Sequence, residues 1–513
     1  MSLERRIVIG LITSTEFIQQ IHATWDTQLL ESQMAKRLSN WVLEYYEKYN
    51  KAPGKDIEGI YFQKLKEGLD SDLAEEIEED ILPSLSEQYE DEKFNLNYLL
   101  DQTHSYFSEK HLIRFSEEIK GLVSSGELLE AEKAAGEYKP LSKESGTDLD
   151  LSTLNALKRV ENAFKEALQP IIRYPRILGE FWNSQLIRGG FVALMASEKR
   201  GKTFWLMDMA IRACHQRAKV AFFQAGDMTE GQQLKRFCIY LTKKSDKKKY
   251  SGKMHEAVRD CIHNQMNTCD KEERTCDFGI FEDRTDEEIR KQVTLNDLKR
   301  EKETNPDYEP CHNCEEYAFK NYGVPWIEDV DTGNPLTVTE AKDAVDNYFI
   351  KNSRRFKLSS HANGTLSVKQ IKSLLDVWER QDDFVPDLIV VDYADLLVPE
   401  VRMEFRHQQN EIWKGLRNLS QERHCLVITA TQADAKSYEQ NRLKLINFSE
   451  DKRKYSHVTA MYGLNQDPKD REKRIGLMRI NEIVIREGDF SNSNEVTVLQ
   501  NLKRGRPFLG SYW

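Results

Sequence analysis

The run Phe191-Val-Ala-Leu-Met-Ala-Ser-Glu-Lys-Arg-Gly-Lys-Thr203 constrains this chain more than any other stretch. Its first five residues are apolar and read as a buried strand. A tight turn follows. Gly201-Lys202-Thr203 then opens a helix carrying Trp205, Leu206, Met209 and Ile211. Strand, loop and helix in that order make a phosphate-binding loop. Such a loop points backbone N–H groups and a positive helix end at a polyphosphate. The residues expected to line the nucleotide are Ala196, Ser197, Glu198, Lys199, Arg200, Gly201, Lys202 and Thr203. Lys202 supplies the cation for the β- and γ-phosphates, and the Thr203 hydroxyl can hold Mg²⁺. The usual loop begins with Gly where this one has Ala196. Ala tolerates positive φ poorly, so the turn is expected to be made without it. The competing reading, a chance Gly-Lys-Thr at a helix start, is weakened by what lies downstream.

The chain has 513 residues, enough for several domains at about 150 residues each. Charged residues make up 31% and hydrophobic residues 39%, which suits a soluble, helix-rich protein. No window reaches the roughly 18 apolar residues of a membrane span. The N-terminus (Glu4, Arg5, Arg6, then an apolar run broken by Thr13 to Glu16) does not read as a signal peptide. A cytoplasmic location without membrane contact is the expectation. A net charge of −11 gives no global field for nucleic acid, so any such contact must be local.

Residues 1–100 read as a helical N-terminal domain. Ile7, Val8, Leu11 and Ile12 share one face, as do Leu38, Trp41, Val42 and Tyr45. Residues 101–170 read as a helical linker, with helices at 112–123 and 128–135 too thinly apolar to fold without a partner surface. From about residue 171 to 513 the pattern turns α/β. Strands are expected at 191–195, 220–223, 388–391, 425–429 and 496–502, separated mostly by helices. That alternation argues for a mostly parallel sheet covered by helices on both faces. Residues 243–348 break the rhythm and read as an insertion.

Ile389-Val-Val-Asp392 is a buried strand ending in a carboxylate, where a second ligand for Mg²⁺ belongs. Asp387 precedes that strand and is placed at the other end of the sheet. Asp227 follows the 220–223 strand and suits a general base for the attacking water; it equally suits the cap of the next helix, as does Thr229. Gln432 ends a further strand and could sense the γ-phosphate. The following segment contains Arg442, Lys444, Lys452, Arg453 and Lys454, which could grip a phosphodiester backbone or simply be solvated. Lys503, Arg504 and Arg506 cluster at another strand end. They could reach a neighbouring subunit's nucleotide as a transition-state finger, or form a solvated basic turn.

These pieces together resemble the DnaB-type replicative helicases, in their divergent phage or prophage forms, within the RecA-like ATPases. The resemblance is carried by Ala196-Ser-Glu-Lys-Arg-Gly-Lys-Thr203, Phe223-Gln-Ala-Gly-Asp-Met-Thr229, Ile389-Val-Val-Asp-Tyr-Ala-Asp395, Thr429-Ala-Thr-Gln432 and Lys503-Arg-Gly-Arg-Pro507. The family usually has Glu where Asp227 stands, so the base here is one methylene shorter. The basic cluster is out of register with the family's finger pair, which leaves Lys503, Arg504 and Arg506 open. The resemblance covers most of residues 178–513 outside the insertion. It implies a RecA-like ATPase domain and a homo-oligomeric ring, a hexamer in the family, that hydrolyses ATP between subunits. It also implies single-stranded DNA threading the ring, with a primase or helicase loader as further partners. A RecA-like ATPase acting as a recombination or defence switch without unwinding is the alternative.

Five of the eight cysteines fall between Cys261 and Cys314. In an intracellular protein such clustering favours metal over disulfides. Cys311-His-Asn-Cys314 with Cys269 and Cys276 upstream suits a structural Zn²⁺. Cys261, expected on a helix at 254–264, and His263 are held in reserve. Free buried thiols are the competing reading.

Overall fold

The computed structural model describes residues 3–22, 25–78, 95–127, 169–226, 228–314, 319–351, 355–400, 405–447, 452–491 and 493–513, with isolated positions between 130 and 164. They form two compact units, Met1–Asn162 with Arg380–Asp383, and Ala163–Glu379 with Phe384–Trp513.

The described part of the first unit is all helical: Leu3–Thr13, Thr15–Ile21, Gln33–Tyr49, Asp56–Lys66, Ser71–Glu76 and Leu96–Ser124. Ile7, Val8, Leu11 and Ile12 are buried together with Leu38, Trp41 and Val42, as their spacing requires. Ser14 and Ser32 cap their helices through side-chain hydroxyls, and Asn50 ends one in the left-handed region at φ 51°. The helix expected at 112–123 is the end of the longer Leu96–Ser124 helix. Of the helix expected at 128–135, positions 130, 131, 134 and 135 are described and are helical.

The second unit is built on a nine-stranded sheet. In chain order its strands are β1 (Phe191–Ala196), β2 (Val220–Gln224), β5 (Phe356–Ser360), β6 (Leu388–Asp392), β7 (Leu426–Gln432), β8 (Ala460–Asn465), β9 (Leu477–Ile485), β10 (Glu495–Asn501) and β11 (Arg506–Tyr512). Between β2 and β5 lie β3 (Lys253–Cys261) and β4 (Gly323–Asp331), which form a separate two-stranded antiparallel sheet. The spatial order is β11-β10-β9-β8-β1-β7-β6-β2-β5. Strands β8, β1, β7, β6, β2 and β5 are parallel, and β9 to β11 extend the β8 edge as an antiparallel meander. The expected fold class, a mostly parallel sheet covered on both faces beside an all-α N-terminal part, is the one observed. Alternate residues of β1 show why. Val192, Leu194 and Ala196 enter one core, with the Lys202–His215 helix. Phe191, Ala193 and Met195 enter the other, with the Val368–Asp382 and Phe405–Glu422 helices.

The helix expected at 254–264 is instead strand β3 followed by the one-turn helix Ile262–Gln265. Tertiary pairing overrides local pattern here, since β3 matches β4 residue for residue from Lys253↔Asp331 to Cys261↔Gly323. The described residues of 243–348 pack on the core face that holds the Lys202–His215 helix: Trp326, Ile327, Leu298 and Phe281 join Tyr512 and Val498 in one cluster. Gly323 lies so close to the Tyr512 ring that an added Cβ would sit 2.7 Å from it. No helix among the described residues is long and apolar enough to cross a membrane.

Candidate active site

Parallel strands place their carboxyl ends, and whatever follows them, along one edge of a sheet, which is where α/β proteins bind ligands. In register across that edge, Ala196 of β1 pairs with Gln432 of β7, and Asp392 of β6 with Gln224 of β2. The loop 197–201, expected to bind phosphate, leaves β1 at this edge. Its left-handed positions are Lys199 (φ 59°) and Gly201 (φ 88°), so the turn is made without Ala196, which ends the strand. Gly201 is the N-cap of the Lys202–His215 helix and makes no side-chain cap, leaving the first N–H groups to face an anion. An added Cβ on Gly201 would lie 2.6 Å from Leu502 Cδ1, a flexible side-chain end that can move, so it is the left-handed backbone that favours Gly there.

Lys202 reaches back across the loop: its Nζ donates to the Ala196 carbonyl at 3.0 Å and lies 5.7 Å from the Tyr393 ring centre. Thr203 Oγ1 donates to Asp392 Oδ1 at 3.3 Å. Asp392 is 2% exposed, so its carboxylate is held by the fold and turned to the loop. A hydroxyl and a carboxylate this close are the hard oxygen donors that Mg²⁺ accepts beside phosphate, so the donor set fits that ion. Asp387, as expected, lies at the opposite end of β6, where it receives Arg188 and the Lys219 N–H.

The remaining loop residues are pinned from outside. Ser197 Oγ and Ser437 Oγ are 2.7 Å apart, and the Glu198 N–H donates to Tyr438 Oη at 3.2 Å. The Arg200 guanidinium is buried on Gln466 (2.9 Å) and Asp470 (3.2 Å), so this side chain braces the loop against the turn after β8. Gln432 Nε2 donates to Glu198 Oε1 at 3.3 Å, which brings the expected sensor into contact with the loop. Sequence reasoning did not assign Asp395. Its Oδ2 accepts from Thr431 Oγ1 at 2.7 Å and from the Gln432 N–H at 3.1 Å, fixing the end of β7. Its signal was present in Asp392-Tyr-Ala-Asp395, one short turn beyond the strand.

Asp227 lies outside the described residues. Across it, Gln224 Nε2 donates to the Met228 carbonyl at 2.7 Å, and Gly226 (φ 100°) presses against the backbone of Asn363. The next helix, Glu230–Thr242, is capped by Thr229 in a capping box with Gln232, so capping does not require position 227.

Lys454 overturns its expected place on nucleic acid. Its side chain has 0% exposure, and its Nζ lies 2.9 Å from Asp395 Oδ1 and over the Trp413 ring. A cation this deeply paired inside the protein cannot grip a solvent-borne backbone. The side chains of Lys452 and Arg453 lie outside the description. In the C-terminal cluster, Arg504 and Arg506 both pair with the buried Glu256 of β3, to which Asn501 Nδ2 also donates at 3.0 Å. Lys503 alone of the three is exposed, with its Nζ 5.1 Å from the Tyr250 ring centre.

The zinc expectation also fails to find its site. Among the described residues, which include Cys269, Cys276, Cys311 and Cys314, no three His, Cys, Asp or Glu side chains converge as a metal requires. Another hub organises these loops. The carboxylate of Asp260, fully buried, accepts from the Cys311 N–H (2.9 Å), Tyr308 Oη (2.7 Å), Gln265 Nε2 (3.0 Å) and the Cys261 N–H (2.7 Å). Cys276 Sγ accepts the Glu309 N–H at 3.0 Å. Burial pushes the Cys261 thiol up to about 11. Cys-x-x-Cys spacing cannot distinguish metal ligands from cysteines whose backbone N–H groups bond a buried carboxylate.

No family model and no curated protein matches the sequence. Among solved structures, the chain is similar to one described as an ATPase domain, with a TM-score of 0.44 and 14% identity, covering 71% of this chain and 100% of that one. It is also similar to one described as a DnaB-like replicative helicase and its interactions with primase, with a TM-score of 0.43 and 14% identity, covering 98% of each chain.

Proposed function

We propose that this chain is an ATP-hydrolysing DNA helicase of the DnaB type, working as a homo-oligomeric ring on single-stranded DNA. The observation that carries the reading is the meeting of Lys202, Thr203 and Asp392 at the carboxyl edge of a parallel sheet, with Thr203 Oγ1 3.3 Å from Asp392. In this reading the loop N–H groups and Lys202 bind the β- and γ-phosphates. Thr203 and Asp392 would hold Mg²⁺, which when bound draws charge from the phosphates. Asp227, which follows β2 in the sequence, orients and deprotonates the attacking water. Gln432 registers the γ-phosphate beside Glu198. Lys503 is the trans-acting cation, because Arg504 and Arg506 are engaged on Glu256 of their own chain.

ATP hydrolysis with and without single-stranded DNA, followed by strand displacement on a forked duplex, tests the reading. Stimulated hydrolysis with displacement is expected. Stimulation without displacement would favour the alternative, a RecA-like switch. Asp227→Asn should bind ATP and hydrolyse it about 100-fold or more slowly. Normal turnover would remove Asp227 from the base role. Negative-stain images of the full chain with ATP should show rings.

A further inference from the structure

We propose that the buried ion pair between Asp395 and Lys454 is a positioning relay that carries the DNA-bound state of the segment after β7 to the γ-phosphate sensor Gln432. The proposal rests on the ATPase reading above. Asp395 stands in the short turn Ala394–Leu396 after β6, and its two oxygens face in different directions. Oδ2 holds the end of β7 through Thr431 Oγ1 (2.7 Å) and the Gln432 N–H (3.1 Å). Oδ1 holds Lys454 Nζ at 2.9 Å, in the turn Lys452–Ser456. Gln432 in turn contacts Glu198 of the phosphate loop, and the Ala433 N–H donates to the Ala196 carbonyl at 3.0 Å.

A single carboxylate thus joins the nucleotide loop's neighbour to the far end of the segment between β7 and β8. Lys436, Lys444 and Ile446 of that segment are exposed, where a polynucleotide could touch them. A fully buried lysine is costly unless it is paired, and replacing such a pair by apolar groups is often neutral for stability. Its presence beside the sensor therefore calls for a role other than holding the fold. A displacement of the turn that carries Lys454 pulls on Asp395, and Asp395 has the Gln432 backbone as its other ligand.

The test uses the full chain and poly(dT). Hydrolysis is measured with and without poly(dT) for wild type, Lys454→Met, Asp395→Asn and the double variant, with a fluorescent ATP analogue to read nucleotide binding. The single variants should bind the analogue as wild type does, yet their stimulation by poly(dT) should fall from the 5- to 150-fold range typical of coupled sites to about twofold or less. The double variant should be no worse than either single one, because both cut the same link. Should a single variant fail to fold, the double variant, free of any unpaired buried charge, gives the same readout. Stimulation that survives in the double variant overturns the relay. Wild type that hydrolyses ATP without stimulation also overturns it, while leaving the ATPase reading intact. Wild type that neither binds nor hydrolyses ATP overturns both.

Discussion

Thr203 and Asp392, 189 residues apart in the chain, share a hydrogen bond of 3.3 Å. One begins the helix after the loop and the other ends a central strand, so the bond measures how well the two halves of the site are aligned. Thr203→Val keeps the shape of the side chain and removes the hydroxyl. It should lower Mg²⁺-dependent ATP turnover by roughly 100-fold, as expected for the loss of one preorganised electrostatic partner. Melting temperature should move by only a few degrees. A steady-state ATPase assay beside a thermal melt checks both, and unchanged turnover would remove Thr203 from the site.

Gly201→Ala should impair the loop chiefly through its backbone. The left-handed φ of 88° costs a residue with Cβ about 1–2 kcal/mol, and the methyl group meets Leu502. Trimming the neighbour with Leu502→Ala relieves only the contact. Titration with a fluorescent ATP analogue should therefore show weak binding in Gly201→Ala and only partial recovery in the double variant. Full recovery would mean that backbone conformation is not the constraint.

Glu256 receives Arg504, Arg506 and Asn501. Glu256→Gln leaves two guanidinium groups short of their counter-charge. Arg506 is about a third exposed, so water recovers part of the loss, and a destabilisation of roughly 2 kcal/mol is expected by urea unfolding. If Arg504 acts on a neighbouring nucleotide instead, the same change should alter ATP turnover more than stability, and the two measurements together decide.

The cysteine loops should survive a chelator. Treatment with EDTA is expected to leave the melting curve unchanged, whereas Asp260→Asn, which sets an amide NH₂ against the donors of one carboxylate oxygen, should destabilise the loops by about 1–3 kcal/mol. Alkylation at pH 8 mapped by mass spectrometry should label the half-buried Cys269 and Cys314 before Cys261 and Cys425, whose thiols burial pushes up to about 11 and about 12. Stoichiometric zinc in the native protein would reverse this account.

The parts of the fold that could be read directly were those whose chemistry is local. Strands β1, β2, β6 and β7 are apolar runs at central positions, and the loop announces itself by Gly201-Lys202-Thr203. The strands that escaped notice carry polar groups whose partners are distant in sequence. In β9, Arg479 pairs with Glu472 and Glu495, and Asn481 bonds Asn465 and the Leu443 carbonyl, so a buried strand reads as surface. β5 is a half-buried edge strand ending in two serines. Lys454 follows the same logic: within Lys452-Arg-Lys454 it looks solvated, and only its ion pair with Asp395, 59 residues away, reveals a core position. Asp260 escaped for the same reason, since its role is defined by donors up to 51 residues downstream.

The described residues of 243–348 share one core with the C-terminal hairpin, through Gly323 on Tyr512 and Glu256 on Arg504. They serve as a buttress and not as an appendage. Splicing them out to obtain a smaller protein would strip the backing from β10 and β11, and with it the support of Leu502 beside Gly201.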